Sequence, residues 1–262
     1  MKALLAIEWL KIKRYRTVWV LTSLFLGFIL LFNILIATET LTLGGKGINI
    51  LNSDYTFSGV WLNTTYWTKA FAGLIALMVI ILTTNEYQYR TNRQNVIDGW
   101  QRSQFFHAKW LLVLVLGMVV TLFTFATGII FGLLNGSSLS DAGTHIEKLF
   151  YLFILLLNYC GVALTLSFFL KRTGLAIVIF ILYAYPLENI LWGISLNPNY
   201  GNFGFFTPME SSAGLLMFPF PPAAKEALPK HMPSDSSYLA ASLAYIAFYY
   251  LLGRWKLLKG DW

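Results

Sequence analysis

The sequence predicts an all-α membrane protein with six transmembrane helices and both termini in the cytoplasm. Three observations carry this reading. Of 262 residues, 57% are hydrophobic and only 12% charged, with a mean hydropathy of +0.62; a soluble domain carries roughly 25% charged residues. Aromatics reach 17%, including nine Trp and fourteen Tyr, the types that gather where a membrane meets water. Six apolar stretches recur along the chain, each near the roughly 20 residues needed to cross a hydrocarbon core of about 30 Å.

The elements follow in order. Residues 1–16 form a charged leader whose apolar side chains do not fall on one clean helical stripe. The first span, about 17–38, is too long for the apolar core of a signal peptide and no A-x-A site follows, so it is retained. An outer loop, 39–65, carries Gly44, Gly45, Lys46 and Gly47. This GGKG run lacks the G-x-x-x-x-G-K-[ST] spacing that cradles phosphate and reads as a flexible turn. The second and third spans are about 66–84 and 110–134, separated by a polar loop at 85–109. The fourth is about 149–170, where Asn158, Thr165 and Ser167 are expected to bond across helices. The fifth, about 174–196, contains Pro186, which kinks or ends it. The sixth, about 238–258, ends with Arg254 and Lys256, whose stems let the charges reach the headgroups.

Orientation follows from the basic residues. With the amino terminus inside, fourteen of nineteen Lys and Arg fall on the cytoplasmic side, while eight of twelve acids fall outside. This positive-inside bias accounts for the net charge of +7 without nucleic-acid binding. The sequons at Asn63 and Asn135 face outward. The single cysteine, Cys160, cannot form an internal disulfide, and His107, His145 and His231 are too scattered to suggest a metal site. No G-x-S-x-G, H-E-x-x-H or intramembrane carboxylate pair is present, so nothing argues for catalysis.

Glu188, just after Pro186, reads as the ionisable group inside a span. It lies roughly 21 Å across the core from Gly174 at about 1.5 Å per residue. The residue itself fits either an interfacial anchor or a pathway and gate role; Tyr183 and Tyr185 fit either packing or pathway surface. The external loop 197–237 holds seven of eight prolines and many aromatics. Two short helices, near 210–218 and 222–229, are expected to dip into the outer leaflet; the alternative is a loop anchored by its aromatics.

The cytoplasmic loop 85–109 is basic and is expected to be helical in two short pieces, broken near Asn92 and Gly99. Glu86–Arg90 and Asp98–Arg102 are spaced for helical ion pairs of about 0.2–0.5 kcal/mol each. Val96, Ile97 and Trp100 would give a small apolar face. On these residues alone, a solvated loop and a partner-docking helix are equally open.

Glu86, Thr91, Arg93, Gly99, Arg102, Phe105 and Lys109 form E-x4-T-x-R-x5-G-x2-R-x2-F-x3-K. This resembles the first cytoplasmic loop of ATP-binding-cassette (ABC) permeases of the type-2 exporter family, and KIKRYRTVW, preceded by Glu8, resembles that family's elbow, which implies an interfacial elbow helix at the amino terminus, residues 1–16. The resemblance extends over the whole chain, as one transmembrane permease domain, 1–262. It implies a permease subunit of an ABC exporter in a bacterial cytoplasmic membrane. Separate ATPase subunits would hold ATP and Mg, and a second permease chain would complete a homodimer or heterodimer. It further implies that Glu86, Arg90, Thr91, Arg93, Asp98, Gly99, Trp100 and Arg102 contact the ATPase. Tyr185, Glu188, Phe218 and Phe220 would serve the pathway or an external gate. The aromatic, weakly charged outer half favours an amphipathic substrate. A secondary transporter or channel, and a membrane scaffold that recruits a cytoplasmic partner, are the competing readings. The first would need coupling groups or inverted repeats within the spans; nucleotide-dependent substrate movement separates transporter from scaffold.

Overall fold

A computed structural model describes residues 2–40, 54–57, 59–97, 99–219 and 231–259. These residues are helical with no strand, and six helices are long and apolar enough to cross a membrane. Helix α1 (Lys2–Lys13) is the elbow; α2 (Arg16–Ala37), α3 (Val60–Gln88), α5 (Arg102–Leu134) and α6 (Glu147–Leu170) are the first four long helices, and α4 (Thr91–Ile97) is a short helix between α3 and α5. The fifth span is composite: α7 (Thr173–Leu182), a π-turn over Tyr183–Leu187, and α8 (Glu188–Ser195). After a short segment containing α9 (Glu210–Ala213), α10 (Asp235–Lys259) closes the bundle.

Helices α3 and α6 form the centre, with two-thirds of their apolar windows buried; α2, α5, α7 and α10 pack around them and keep mostly outward, lipid-compatible faces. Apolar side chains gain little by leaving lipid for a protein interior, so small residues and hydroxyls decide where such helices meet. Thr68 and Thr124 bond from α3 to α5 at 3.0 Å. Thr64, Thr68 and Thr84 also return their hydroxyls to the carbonyl four residues back, leaving no dangling donor in an apolar medium. Of the three polar residues expected to bridge from the fourth span, only Asn158 does so. Thr165 and Ser167 bond back to Gly161 and Ala163 within α6.

Two boundaries differ from the expected spans. Helix α3 starts at Val60 rather than near Tyr66, because Asn63, Thr64 and Thr65 are buried and internally bonded rather than solvated. Ahead of it, Tyr55 and Phe57 fold inward against Phe131 and Trp61. The Asn63 sequon is therefore interior, whereas Asn135 is exposed. Helix α5 starts at Arg102, eight residues before the expected span, so part of the predicted loop is its first two turns. The glycine-rich run at 44–47 lies outside the described residues.

The long helices alternate in direction, so both described chain ends share one face, hereafter the terminal face. Arg102 Nη1 at the start of α5 donates to the Leu258 carbonyl near the end of α10 at 3.3 Å. At the opposite face, Trp61 Nε1 donates to the Ala142 carbonyl between α5 and α6 at 2.9 Å.

Candidate functional site: a charged latch and a clamped re-entrant segment

At the terminal face the loop motif folds around a buried charge cluster. The α3 helix ends in a turn at Tyr89 and Arg90, where Arg90 takes a left-handed φ of 56°; the second break falls at Gly99, with φ 94°. Asn92 is not a break but a buried residue within α4. The first and last residues of the motif meet: Lys109 is fully buried and donates to both Glu86 Oε1 and Glu8 Oε2, the latter at 2.7 Å. Lys11 completes the group at 3.0 Å from Glu86 and 3.3 Å from Glu8. Two carboxylates and two ammoniums thus join α1, α3 and α5. Burial alone would raise the Glu8 carboxyl, but Lys109 and Lys11 beside it hold it below its ordinary value of 4.5.

This arrangement changes the part played by Glu86. Read from sequence as an ATPase contact paired with Arg90, it is 5% exposed and pairs with Lys11 and Lys109 instead. Arg90, Thr91, Gly99 and Arg102 are exposed and Trp100 is half-buried. Ile97 is 77% exposed, too open to pack within the chain. The expected Asp98–Arg102 pair involves Asp98, which lies outside the described residues, as does the Arg93 side chain.

At the opposite face, the chain beyond α8 folds back into the bundle. The π-turn absorbs Pro186, so the helix continues instead of ending and carries Glu188 inward to 2% exposure. Its two oxygens accept the backbone N–H groups of Met209 at 2.9 Å and Glu210 at 2.7 Å. At the other end of α9, the Lys69 ammonium donates to the carbonyls of Ala213 and Leu216 at 2.7 and 2.8 Å. Negative charge at the N–H end and positive charge at the carbonyl end satisfy backbone groups that a four-residue helix cannot satisfy itself. Asn158 adds bonds to the Pro208 carbonyl at 2.7 Å and to Ser212 Oγ at 3.2 Å. Tyr245 donates to the Phe206 carbonyl at 2.9 Å. Phe205, Met209, Leu215 and Leu216 are buried. The segment returns about 10 Å along α8, from Ser195 to the level of Glu188; of the helix expected near 210–218, only Glu210–Ala213 is helical. The expected 222–229 helix and Phe220 lie outside the described residues.

Between this segment and helices α3, α6 and α8 lies a cavity of about 640 Å³. The structure brings Tyr185, Glu188 and Phe218 together on its wall. Sequence reasoning missed two charged wall residues, Lys69 and Glu210. Lys69 stands within the predicted second span and shows that Glu188 is not alone there; Glu210 sits in a proline-rich loop whose inward course no local pattern records. Burial pushes the Glu210 carboxyl up to about 7, with Lys69 opposing the rise and Glu188 adding to it.

Among the described residues, no group of three or more His, Cys, Asp and Glu could hold a metal ion. No curated protein matches the chain. The model of the ABC-2 family transporter protein family matches residues 4–187, well over half of the 262. With six apolar helices of membrane-crossing length and a match running from the elbow through the π-turn, the chain belongs to the ABC-2 transporter family and is a multi-pass ABC permease.

Proposed function

We propose that this permease is the membrane half of an ATP-driven exporter in a bacterial cytoplasmic membrane, with its terminal face in the cytoplasm. Separate ATPase subunits hold ATP and Mg, and a second permease chain completes the assembly. The observation that best supports this reading is the buried latch at the root of α4. Helix α4 and the turn before it offer exposed Arg90, Thr91 and Ile97 to a partner, and the Glu8–Lys109–Glu86–Lys11 group ties the roots of α3 and α5 to the elbow. A push on α4 is then carried into two spans and α1 as one unit. Such a push shifts the access equilibrium only through contacts that differ between states, and ions that must stay paired when buried resist separating in either. Thr91, Arg93, Asp98, Gly99, Trp100 and Arg102 belong to the same proposed contact surface, with Glu86 positioning it from below. Tyr185, Glu188 and Phe218 line the proposed outer pathway, and the re-entrant segment closes it.

The test is affinity purification of the intact chain in mild detergent, followed by mass spectrometry. A stoichiometric phosphate-loop ATPase is expected, and Arg90→Glu should reduce its recovery several-fold while membrane insertion is unchanged. Equal recovery with Arg90→Glu and with a reversed Arg93 would overturn the docking surface. Absence of any ATPase, where a known ABC complex survives, would favour the scaffold reading.

A further inference from the structure

The cavity under the re-entrant segment has an unbalanced charge account. Lys69 spends its ammonium on two carbonyls, and Glu188 spends both oxygens on two N–H groups. The Glu210 carboxylate lines the same cavity and, among the described residues, receives no hydrogen bond and forms no ion pair. The Tyr238 hydroxyl, on a fully buried side chain of the same wall, is likewise without a hydrogen-bond partner among the described residues. One ammonium against two carboxylates leaves a net negative site when Glu210 is ionised. Aromatic rings supply five of the twelve remaining wall residues, Tyr66, Tyr159, Tyr185, Trp192 and Phe218. Ring faces attract cations and tolerate apolar substituents, and about 640 Å³ falls among cavities that enclose small organic ligands.

We infer that this cavity binds a bulky organic monocation, with the Glu210 carboxylate as its counter-charge and the aromatic walls as its seat. The inference rests on the exporter reading only in calling that cation a substrate. An organic anion would meet two carboxylates. The family match ends at residue 187, so Glu188, Trp192, Glu210 and Tyr238 lie beyond the residues it covers.

The test uses the purified full-length chain in lipid nanodiscs without any ATPase, so its outcome is independent of whether an ATPase co-purifies. Equilibrium dialysis would compare tetraphenylphosphonium with tetraphenylborate, ions of matching shape and opposite charge, after subtracting partition into empty nanodiscs. Saturable binding of the phosphonium near one per chain is expected, with none for the borate. Glu210→Gln should weaken phosphonium binding about tenfold or more, the size of one lost charged contact. Glu210→Asp, which keeps the charge, should retain most of it. A melting curve for each variant identifies any that fails to fold. Equal binding of the two ions, phosphonium binding no greater than in empty nanodiscs, or unchanged binding in a folded Glu210→Gln chain would each overturn the inference.

Discussion

Lys109 is the residue on which the terminal face depends. It is fully buried, and its ammonium is shared by two carboxylates from different helices. Removing it leaves Glu8 and Glu86 buried beside each other with only Lys11, so Lys109→Met should destabilise the chain by about 3–5 kcal/mol, read from thermal unfolding in mild detergent. Glu8 adds a pH dependence. Its carboxyl is held below 4.5, so its stabilising contribution is complete above that value and is lost as the pH falls through the lower folded value. Wild type should therefore lose stability below about pH 4.5, and Glu8→Gln should flatten that part of the profile. Glu188 plays the corresponding part at the opposite face. Glu188→Ala orphans two buried N–H groups, each worth about 1.5–3 kcal/mol in a charged hydrogen bond, whereas Glu188→Gln keeps an acceptor and should lose less in the same unfolding measurement. Little of this was legible in the sequence. Glu8 and Lys109 are 101 positions apart, and helical periodicity says nothing about partners at that separation. The spacing Glu86 to Arg90 suggested a local pair, but Glu86 pairs with Lys11 and Lys109 instead.

The elements show where hydropathy suffices and where it does not. All six spans were readable because lipid demands runs of apolar residues with internally bonded backbone. The start of α3 was not, because Asn63, Thr64 and Thr65 look solvated until their bonds to Asp54, Val60 and Trp61 are seen. Pro186 suggested a kink or a helix end, and the π-turn around it keeps the helix running and delivers Glu188 to the re-entrant segment. That segment also depends on close approach. Gly204 lies so near α8 that a Cβ would collide with the Leu191 carbonyl, and the backbone there has no side chain to move aside. Gly204→Ala should therefore loosen the 203–216 segment, seen as faster hydrogen exchange and earlier proteolysis there. Glu210 makes the same segment sensitive to pH. Its folded carboxyl titrates near 7 against an ordinary 4.5, so the folded state holds the extra proton and the segment loses stability as the pH rises through that window. Protection factors across 203–216, corrected for the intrinsic rise of amide exchange with pH, should fall between about pH 5 and 8 in wild type and stay level in Glu210→Gln.

At the scale of the whole molecule, two charge-stapled ends are joined by helices that cross the membrane between them. The latch sits at the terminal end of α3 and α5, and the clamp uses Lys69, farther along the same α3. Helix α3 is thus a single rigid element bearing Glu86 at one end and Lys69 near the other, packed on α6 and α2 along the way. On the proposed reading, motion imposed at α4 would reach the re-entrant segment by that route, with ATP-driven work at one face and passage at the other. The chain has one cysteine, Cys160, and it is buried, so a reporter thiol can be added cleanly. Met217 borders the cavity and is 37% exposed. The most direct test is Met217→Cys in the complex of permease and ATPase, labelled with a small maleimide before and after ATP binding. The account predicts a labelling rate that changes several-fold on ATP binding and returns after hydrolysis, with Lys109→Met abolishing the change. A rate indifferent to nucleotide, in a complex that still hydrolyses ATP, would contradict it.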